Sequence, residues 1–270
     1  MKLESYHAPS LLPAGKNWQL VWHDEFDGTE LDRSKWDFRL CIMQHRQPHL
    51  IGEEGVELDG NGNLLLKLVK KNGEFFSAQL QTGYNFMDEP PEPNSYTRQM
   101  TWPIAKLKEP KFQHKFGYYE CRCRVQTQRG WWSAFWLQSP MIGAGLDPRQ
   151  CGIEVDIMEC FDPSAIVEHN NHWGGYAENH IHLPSPKMKL ENPLEFHYFG
   201  LEWTSDAYIY YIDGEETFRI TEPVSQTEAF ILLSTECNFY RMSGKPSPEL
   251  ETAKLPDAFI VDFVRVYDPL

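Results

Sequence analysis

Three acidic residues lie close together in the stretch EVDIMEC, residues 154–160. Side chains of a β-strand alternate between its two faces, so Glu154 and Asp156 share a face, and a regular strand would turn Glu159 away from them. A β-bulge adds one residue to a strand and shifts this alternation by one position. A bulge at Ile157–Met158 would therefore bring all three carboxyl groups onto one face.

Such a cluster could carry out acid–base and nucleophilic chemistry. Carboxyl groups that lie close together push their pKa values apart, so one can hold a proton near neutral pH while another stays ionised. The intervening residues Val155, Ile157 and Met158 are apolar and indicate an interior strand, where an uncompensated acid is costly. The alternative is a structural charge network, in which perturbed pKa values also occur.

A tryptophan-rich stretch, GWWSAFWLQ at 130–138, precedes the acids by about 20 residues. In a strand, Trp132 and Trp136 share one face and Trp131 lies on the other. Indole rings stack well on flat apolar surfaces, including the apolar faces of sugar rings. We expect at least one of these tryptophans to belong to the core and the others to contact a ligand.

Four histidines lie in the segment 167–182: His169, His172, His180 and His182. Histidine is a common metal ligand, but these spacings match no familiar zinc motif. Contacts with carbohydrate hydroxyl groups, or ordinary loop interactions, are the favoured interpretations of this segment.

The rest of the chain predicts an all-β protein. Runs such as GNLLLKLVK, FGYYECRCRVQ and AFILLSTEC are rich in β-branched and aromatic residues and are bounded by turn formers. Asp213-Gly214 predicts the turn of a hairpin. The alternation within the runs predicts two stacked antiparallel sheets, with one face packed and one facing solvent or ligand. Repeats and linkers are absent from the sequence, so we expect a single domain over 1–270, with a proline-rich loop at 88–103.

Composition limits the partners of the chain. The net charge of −14 and the pI near 5.1 oppose binding to phosphate backbones, so no nucleic-acid partner is expected. No apolar run has the length of a membrane span, and the N-terminal stretch lacks the apolar core of a secretory signal. We therefore expect a monomer without a membrane partner, either cytoplasmic or a secreted protein with its signal removed.

Taken together, these stretches resemble glycoside hydrolase family 16. EVDIMEC matches the E-x-D-x-x-E form of its signature, the form whose strand is bulged, and GWWSAFWLQ is similar to its G-x-W-P-A-F-W-L. LVWHDEFDGTELDRSKW, KFQHKFGYYECRCRV, FHYFGLEWTSDAYIYYIDGE and VDFVRVYD resemble further segments of the family, in the same order. The resemblance implies a β-jelly-roll sandwich of two antiparallel sheets with a concave substrate cleft.

The resemblance also implies roles for the acids. Glu154 would be the nucleophile, Asp156 the acid that positions and tunes it, and Glu159 the general acid/base of a retaining endo-β-glycosidase. Retention requires two carboxyl groups roughly 5 Å apart, one to attack the sugar and one to protonate the leaving oxygen. No cofactor is expected for this chemistry.

Further site residues are expected from the resemblance and from their positions in the chain. Trp132 and Trp136 match tryptophans that line the family's cleft, although Ser133 stands where the family has proline. The expected substrate-binding residues are Trp131, Trp132, Trp136, His172, Trp173, Arg98 and Glu236. Many members hold a structural calcium ion, for which Asp262 matches a ligand; oxygen ligands suit calcium.

The substrate stays open between β-1,3 or mixed-linkage glucans, which we slightly favour, and β-galactans of the agar, porphyran or carrageenan type. Charged groups in a cleft, such as Arg98 and Glu236, suit a decorated galactan. A jelly-roll protein that binds glycans without cutting them is a third possibility. Binding relatives lose the glutamates, however, and all three acids are present here.

Overall fold

The structure is a computed structural model that describes residues 3–39, 50, 52–88, 107–162, 166–176, 178–239 and 243–270. Within these ranges the chain forms two antiparallel β-sheets. We call them the back sheet and the cleft sheet. The expectation of an all-β sandwich of two antiparallel sheets is confirmed.

The back sheet has the strand order β15-β14-β13-β7-β17-β4-β3, with β1 paired to β17 and β5 paired to β4. Its strands are β1 (Trp18–Asp24), β3 (Val56–Leu58), β4 (Leu64–Lys71), β5 (Glu74–Phe76), β7 (Gly117–Arg124), β13 (His197–Trp203), β14 (Tyr208–Ile212), β15 (Glu215–Ile220) and β17 (Asp257–Pro269).

The cleft sheet has the strand order β11-β10-β9-β8-β16-β6-β2, with β12 paired to β10. Its strands are β2 (Asp37–Phe38), β6 (Gln79–Gln81), β8 (Trp131–Gln138), β9 (Glu154–Asp162), β10 (Ile166–Trp173), β11 (Ile181–Pro184), β12 (Met188–Lys189) and β16 (Phe230–Cys237).

Helices are few and short among the described residues. One α-helical turn, α1, spans Pro148–Cys151, and 3-10 turns span Gly52–Glu54, Phe86–Asp88 and Pro248–Thr252. Asp147 caps α1 by accepting a hydrogen bond from the backbone N–H of Arg149. None of the described helices is long and apolar enough to span a membrane.

The core lies between the two sheets and follows the alternation of their strands. On β7, Tyr119, Cys121 and Cys123 point into it, and their neighbours Arg122 and Arg124 are only half-buried on the outer face. This alternation matches the pattern that a packed face and an outer face impose on an antiparallel strand.

The predicted hairpin is also present. Strands β14 and β15 are joined by Asp213 and Gly214, whose φ angles are 51° and 84°. Positive φ at both central residues is what a two-residue turn of type I′ requires, and its twist matches that of the two strands.

Candidate active site

The acid-bearing strand β9 contains the predicted bulge. Against β8, Phe135 pairs with Met158 and Trp136 pairs with Asp156, so the intervening Ile157 has no partner. Both Ile157 and Met158 are fully buried in the core. Two consecutive side chains therefore point inward, and the alternation of the strand is shifted by one position after them.

A buried histidine forms a hydrogen bond with a backbone carbonyl group at this bulge. His169, which lies across from it on β10, directs its Nδ1 to the carbonyl oxygen of Ile157 at 2.6 Å. The other ring nitrogen lies 2.9 Å from the hydroxyl of Thr217, and the ring stacks on Tyr210. Burial lowers the pKa of His169 to about 4, so the ring is neutral at pH 7. His169 thus belongs to the frame of the site and not to the cleft.

The outer face of the cleft sheet carries an open cleft. Seven of the residues that were expected to form the site line it: Trp132, Trp136, Glu154, Asp156, Glu159, His172 and Glu236. They come from β8, β9, β10 and β16, which are neighbours in the sheet. The bulge places the three carboxyl groups in the same cleft.

Trp131 was expected to contact substrate, and the structure contradicts this. The side chain is fully buried in a second core cluster with Leu68, Phe75 and Leu250. The physical reason is the alternation of β8, which turns Trp132 into the cleft and Trp131 to the opposite face.

Trp173 does not line the cleft either. It is half-buried and packs against the main core, because it follows His172 on β10 and therefore points to the opposite face. Arg98 lies outside the residues that the structure describes.

The surroundings of Asp262 do not fit a calcium ion. Its carboxylate accepts a hydrogen bond from the Arg122 guanidinium at 2.5 Å, so a cation already lies beside it. Calcium requires six to eight oxygen ligands, and a neighbouring guanidinium both repels the ion and competes for the carboxylate. Asp262 is therefore assigned to a half-buried ion pair on the back sheet.

Glu154 is held by two donors, Gln138 on β8 and Tyr176 in the loop after β10. The side-chain amide of Gln138 donates to its Oε2 at 2.8 Å, and the hydroxyl of Tyr176 donates to the same oxygen. Gln138 is oriented in turn by the guanidinium of Arg39, which donates to its Oε1 at 2.8 Å. Arg39 is only 2% exposed and also lies over the ring of Trp136, 5.1 Å from its centroid. Two hydrogen bonds thus fix the position of Oε2 of Glu154.

Tyr176 reaches Glu154 because the chain turns sharply after β10. Gly174 has a φ of 77°, and a Cβ at this position would lie 2.2 Å from the carbonyl oxygen of Asn179. Only glycine tolerates both this conformation and this close approach. Burial and the Glu154 carboxylate raise the pKa of Tyr176, so the phenol keeps the proton that it donates.

Glu159 is held from the side of β10. The side-chain amide of Asn170 donates to its Oε2 at 2.6 Å. Burial and the charge of Asp156 raise the pKa of Glu159 well above its usual range, whereas the hydrogen bond from Asn170 lowers it. The balance is a raised pKa, which favours the protonated form of Glu159.

Asp156 lies between the two glutamates and is almost fully buried. Its Oδ2 has no hydrogen-bond partner within the described structure, and Nε2 of His172 lies 3.4 Å away. Burial, and then the charges of Glu154 and Glu168, raise the pKa of Asp156 well above its usual range. The protonated form of Asp156 is therefore favoured.

Three of the four histidines form a stack beside the carboxyl groups. His172 stacks on His182 with ring centroids 4.4 Å apart, and on His180 with centroids 5.0 Å apart. Nδ1 of His172 lies 2.8 Å from Nε2 of His180. Burial and the neighbouring imidazoles lower the pKa values of His180 and His182, which keeps both rings neutral at pH 7.

Glu154, Asp156 and His172 are the only group of potential metal ligands among the described residues, with ligand atoms within 4.8 Å of one another. Tyr176 and Gln138 already occupy one oxygen of Glu154. Acid groups commonly lie this close without an ion, so we assign no metal here.

Several cleft residues were not identified from the sequence. Gln138 shares the strand face of Trp132 and Trp136, and Asn170 shares that of His172, so the alternation within each run could have indicated both. Phe161 lies two residues after Glu159, and its ring lies 5.4 Å from that of Trp132 at the rim of the cleft. No local signal in the sequence indicated Arg39 or Tyr176, which reach the site from a short strand and a loop.

A two-sheet sandwich with three carboxyl groups together in an aromatic cleft is typical of a class of carbohydrate-cleaving enzymes, the glycoside hydrolases. The family model for glycosyl hydrolases family 16 matches residues 94–241, more than half of the chain. The chain belongs to this family.

Individual relatives are distant. The catalytic domain of an endo-1,3-beta-glucanase (laminarinase) from Thermotoga petrophila RKU-1 superposes with a TM-score of 0.68 at 23% identity, covering 94% of this chain and 99% of that one. A glucan endo-1,3-beta-glucosidase A1 from Niallia circulans is 24% identical over 94% of this chain, which spans 38% of its length. A beta-porphyranase D from Zobellia galactanivorans is 30% identical over 58% of this chain, which spans 33% of its length.

Proposed function

We propose that this glycoside hydrolase is a retaining endo-β-glycosidase that cleaves β-1,3 or mixed-linkage glucan. The observation that carries the proposal is the bulge in β9, which brings Glu154 and Glu159 into one open cleft with Asp156 between them. A cleft that crosses the strands and is open to solvent admits a polysaccharide chain and permits internal cleavage.

In the first step, a carboxylate oxygen of Glu154 attacks the anomeric carbon. The bond from that carbon to the bridging oxygen breaks, and Glu159 transfers its proton to this oxygen as the aglycone leaves. In the second step, the ionised Glu159 takes a proton from water. The water oxygen attacks the anomeric carbon, and the ester bond to Glu154 breaks, which regenerates both carboxyl groups.

The surroundings of the two glutamates support these roles. Glu154 accepts two hydrogen bonds, from Gln138 and Tyr176, which hold its carboxyl group in position for attack. The raised pKa of Glu159 keeps the proton on the group that must deliver it. Oδ2 of Asp156 accepts no hydrogen bond within the described structure. We propose that Asp156 shares a proton with Glu154 when Glu154 gains and loses its bond to the sugar.

Trp132 and Phe161 supply an aromatic wall beside the carboxyl groups, and we propose that a sugar ring stacks there. Glucan is preferred as the substrate because the laminarinase fold and the glucanase relatives extend over nearly the whole chain.

A β-galactan is the second candidate. Arg39 and Glu236 place charges along the cleft, which suits a decorated sugar, and the porphyranase is the relative with the higher identity. The porphyranase match extends over a smaller part of the chain, which is why glucan comes first. The proposed partners are therefore limited to polysaccharide or oligosaccharide substrates, and the monomeric state stays a prediction.

The catalytic roles are tested with Glu154→Gln and Glu159→Gln. Both variants should fold, and both should lose hydrolysis by at least about 10³-fold, because each removes one half of a two-carboxyl mechanism. Glu159→Gln should regain activity on an aryl glycoside whose leaving group needs no protonation, whereas Glu154→Gln should not. Proton NMR of the first product should show the β-anomer; an α-anomer would contradict the retaining mechanism.

The substrate is tested with a panel of laminarin, lichenan, agarose, porphyran, carrageenan and arabinogalactan, with product sizes determined by chromatography. Oligosaccharides of several lengths from laminarin or lichenan would support the glucan proposal. Cleavage of a galactan alone would select the second candidate. If the folded wild-type protein cleaves none of them, the substrate class is wrong.

A further inference from the structure

We propose that His182 is a positioning residue that acts through Asn170 on the acid/base group Glu159. This inference rests on the role proposed above for Glu159. It assigns a task to a histidine of the cleft that the two-carboxyl mechanism itself does not use.

The three side chains form one chain of hydrogen bonds. Nε2 of His182 lies 2.6 Å from Oδ1 of Asn170, and Nδ2 of Asn170 lies 2.6 Å from Oε2 of Glu159. An amide oxygen only accepts hydrogen bonds, so Nε2 of His182 carries the proton and donates. The chain therefore has one direction, from His182 through Asn170 to Glu159.

His182 determines which way the amide of Asn170 faces. If the amide turned over while Glu159 is ionised, its NH2 group would meet the N–H of His182, and its oxygen would meet the carboxylate oxygen of Glu159. Both contacts are repulsive, because they set donor against donor and acceptor against acceptor. The donor from His182 thus keeps the amide N–H directed at Glu159.

The imidazole stack holds the His182 ring in place. The ring lies nearly parallel to that of His172, at an angle of 5°. Strand β11 fixes the backbone, since His182 pairs with His172 in the β10–β11 register. The His182 side chain is therefore restrained on one face by the His172 ring and at Nε2 by the amide of Asn170.

This positioning matters because Glu159 must change its protonation state twice in each catalytic cycle. Burial and Asp156 favour the protonated form, which suits the first step but opposes the second. A well-directed N–H from Asn170 stabilises the carboxylate that has to act as a base. His182 thereby limits how strongly Glu159 retains its proton.

Other groups that face this chain of hydrogen bonds also influence its titration. Glu154 and Asp156 approach Glu159 from β9, and Glu168 and His172 from β10. His172 and His180 approach His182. The variants used for the test leave these groups unchanged.

The test compares His182→Met with His182→Gln, two side chains of similar length of which only glutamine can donate a hydrogen bond. Activity is measured against pH on the oligosaccharide that the substrate panel selects. The alkaline limb of kcat/KM reports the group that must be protonated in the free enzyme. We expect His182→Met to move this limb to higher pH by about one unit, and His182→Gln by less than about a third of a unit.

Ile181→Ala is the matched control, because Ile181 is the neighbouring exposed residue on β11 and lies outside the cleft. Its alkaline limb should stay at the wild-type pH. Circular dichroism verifies folding, and His182→Ala replaces His182→Met if the latter does not fold. An unmoved limb in the methionine or alanine variant, or an equal movement in Ile181→Ala or His182→Gln, would overturn the assignment.

The glutamine variant of Glu159 separates this result from the proposed function. If Glu159→Gln is inactive on the natural substrate but the limb of His182→Met does not move, only the role of His182 is wrong. If Glu159→Gln remains fully active, the acid/base role itself is wrong, and with it the inference about His182.

Discussion

Glu154 and Glu159 lie five residues apart on one strand, yet their amide donors come from opposite sides of the cleft sheet. On the arginine side, which comprises β8, β16, β6 and β2 with Arg39 beside them, Gln138 links Arg39 to Glu154. On the histidine side, which comprises β10 and β11, Asn170 links His182 to Glu159. Each carboxyl group thus receives an amide N–H whose direction is fixed by a second donor.

The two sides differ in the nature of that second donor. Arg39 is buried and carries a permanent charge, whereas His182 is exposed at one side and carries none, because partial desolvation and the neighbouring imidazoles of His172 and His180 lower its pKa. A fixed support suits the proposed nucleophile Glu154, whose attacking oxygen has to keep its position. An acid/base group that gains and loses a proton suits a support without a permanent charge. The same arrangement of hydrogen bonds therefore serves two different tasks.

The largest expected effect is a loss of stability that distinguishes the core residue Trp131 from the cleft residue Trp132, both on the arginine side. Trp131→Ala should lower the free energy of unfolding by about 3–5 kcal/mol, because it empties a fully buried position. Trp132→Ala should cost less stability but should strongly reduce kcat/KM, because its ring lines the cleft. Urea unfolding and steady-state kinetics on both variants provide the comparison. Equal stability losses with unchanged kinetics for Trp132→Ala would place Trp132 in the framework.

The next effect is a loss of kcat, which tests whether Arg39 supports the proposed nucleophile Glu154 through Gln138. Arg39→Met should lower kcat about 10- to 100-fold with a KM within about threefold of wild type, because Gln138 loses the donor that orients it. Arg39→Lys should recover only part of the loss, since an ammonium group cannot reproduce the planar guanidinium over Trp136. A large increase in KM with kcat unchanged would show that Arg39 binds substrate directly.

The smallest expected effect is the pH dependence of stability that arises from His169, the buried histidine at the bulge of β9. The pKa of His169 is about 4 in the folded protein, below the 6.5 of a free histidine, so the unfolded chain takes up the proton first. The contribution of His169 to stability is complete above pH 6.5 and falls as the pH drops towards 4. Between pH 7 and pH 5 the loss should be about 2 kcal/mol.

His169→Gln is the matched variant for this measurement, because its amide can still donate to the carbonyl oxygen of Ile157 but cannot be protonated. Urea unfolding at pH 7 and pH 5 should show a smaller difference in this variant than in the wild type. The same pH dependence in both proteins would mean that His169 is not the group responsible.

Features that depend on a single strand could be predicted from the sequence. The odd spacing between Glu154 and Glu159 raised the possibility of a bulge, which the resemblance to the family's E-x-D-x-x-E form favoured, and the Asp213-Gly214 pair predicted the hairpin turn. The same alternation would have placed Trp131 and Trp173 on the core side had it been applied residue by residue, since each is adjacent to a cleft residue.

The supports of the carboxyl groups could not be predicted in this way. Arg39 lies 99 positions before Gln138 in the chain, and His182 lies 12 positions after Asn170. These contacts depend on the order and register of different strands, which no periodicity within one strand contains. Tyr176 depends on a turn at Gly174, whose backbone lies close to the carbonyl oxygen of Asn179 in the same loop.

Strand β17 has a consequence for how the chain reaches this structure. It lies between β7 and β4 and also pairs with β1, so Val261 meets Leu64 on one side and Cys123 on the other. These partners are separated by well over 100 positions, and long loops must close before such contacts form. During synthesis on the ribosome, the back sheet cannot be completed until residues 257–269 have emerged, and β1, β4 and β7 present unpaired edges until then. A delay in the release of residues 257–269 therefore prolongs the exposure of these edges to other chains.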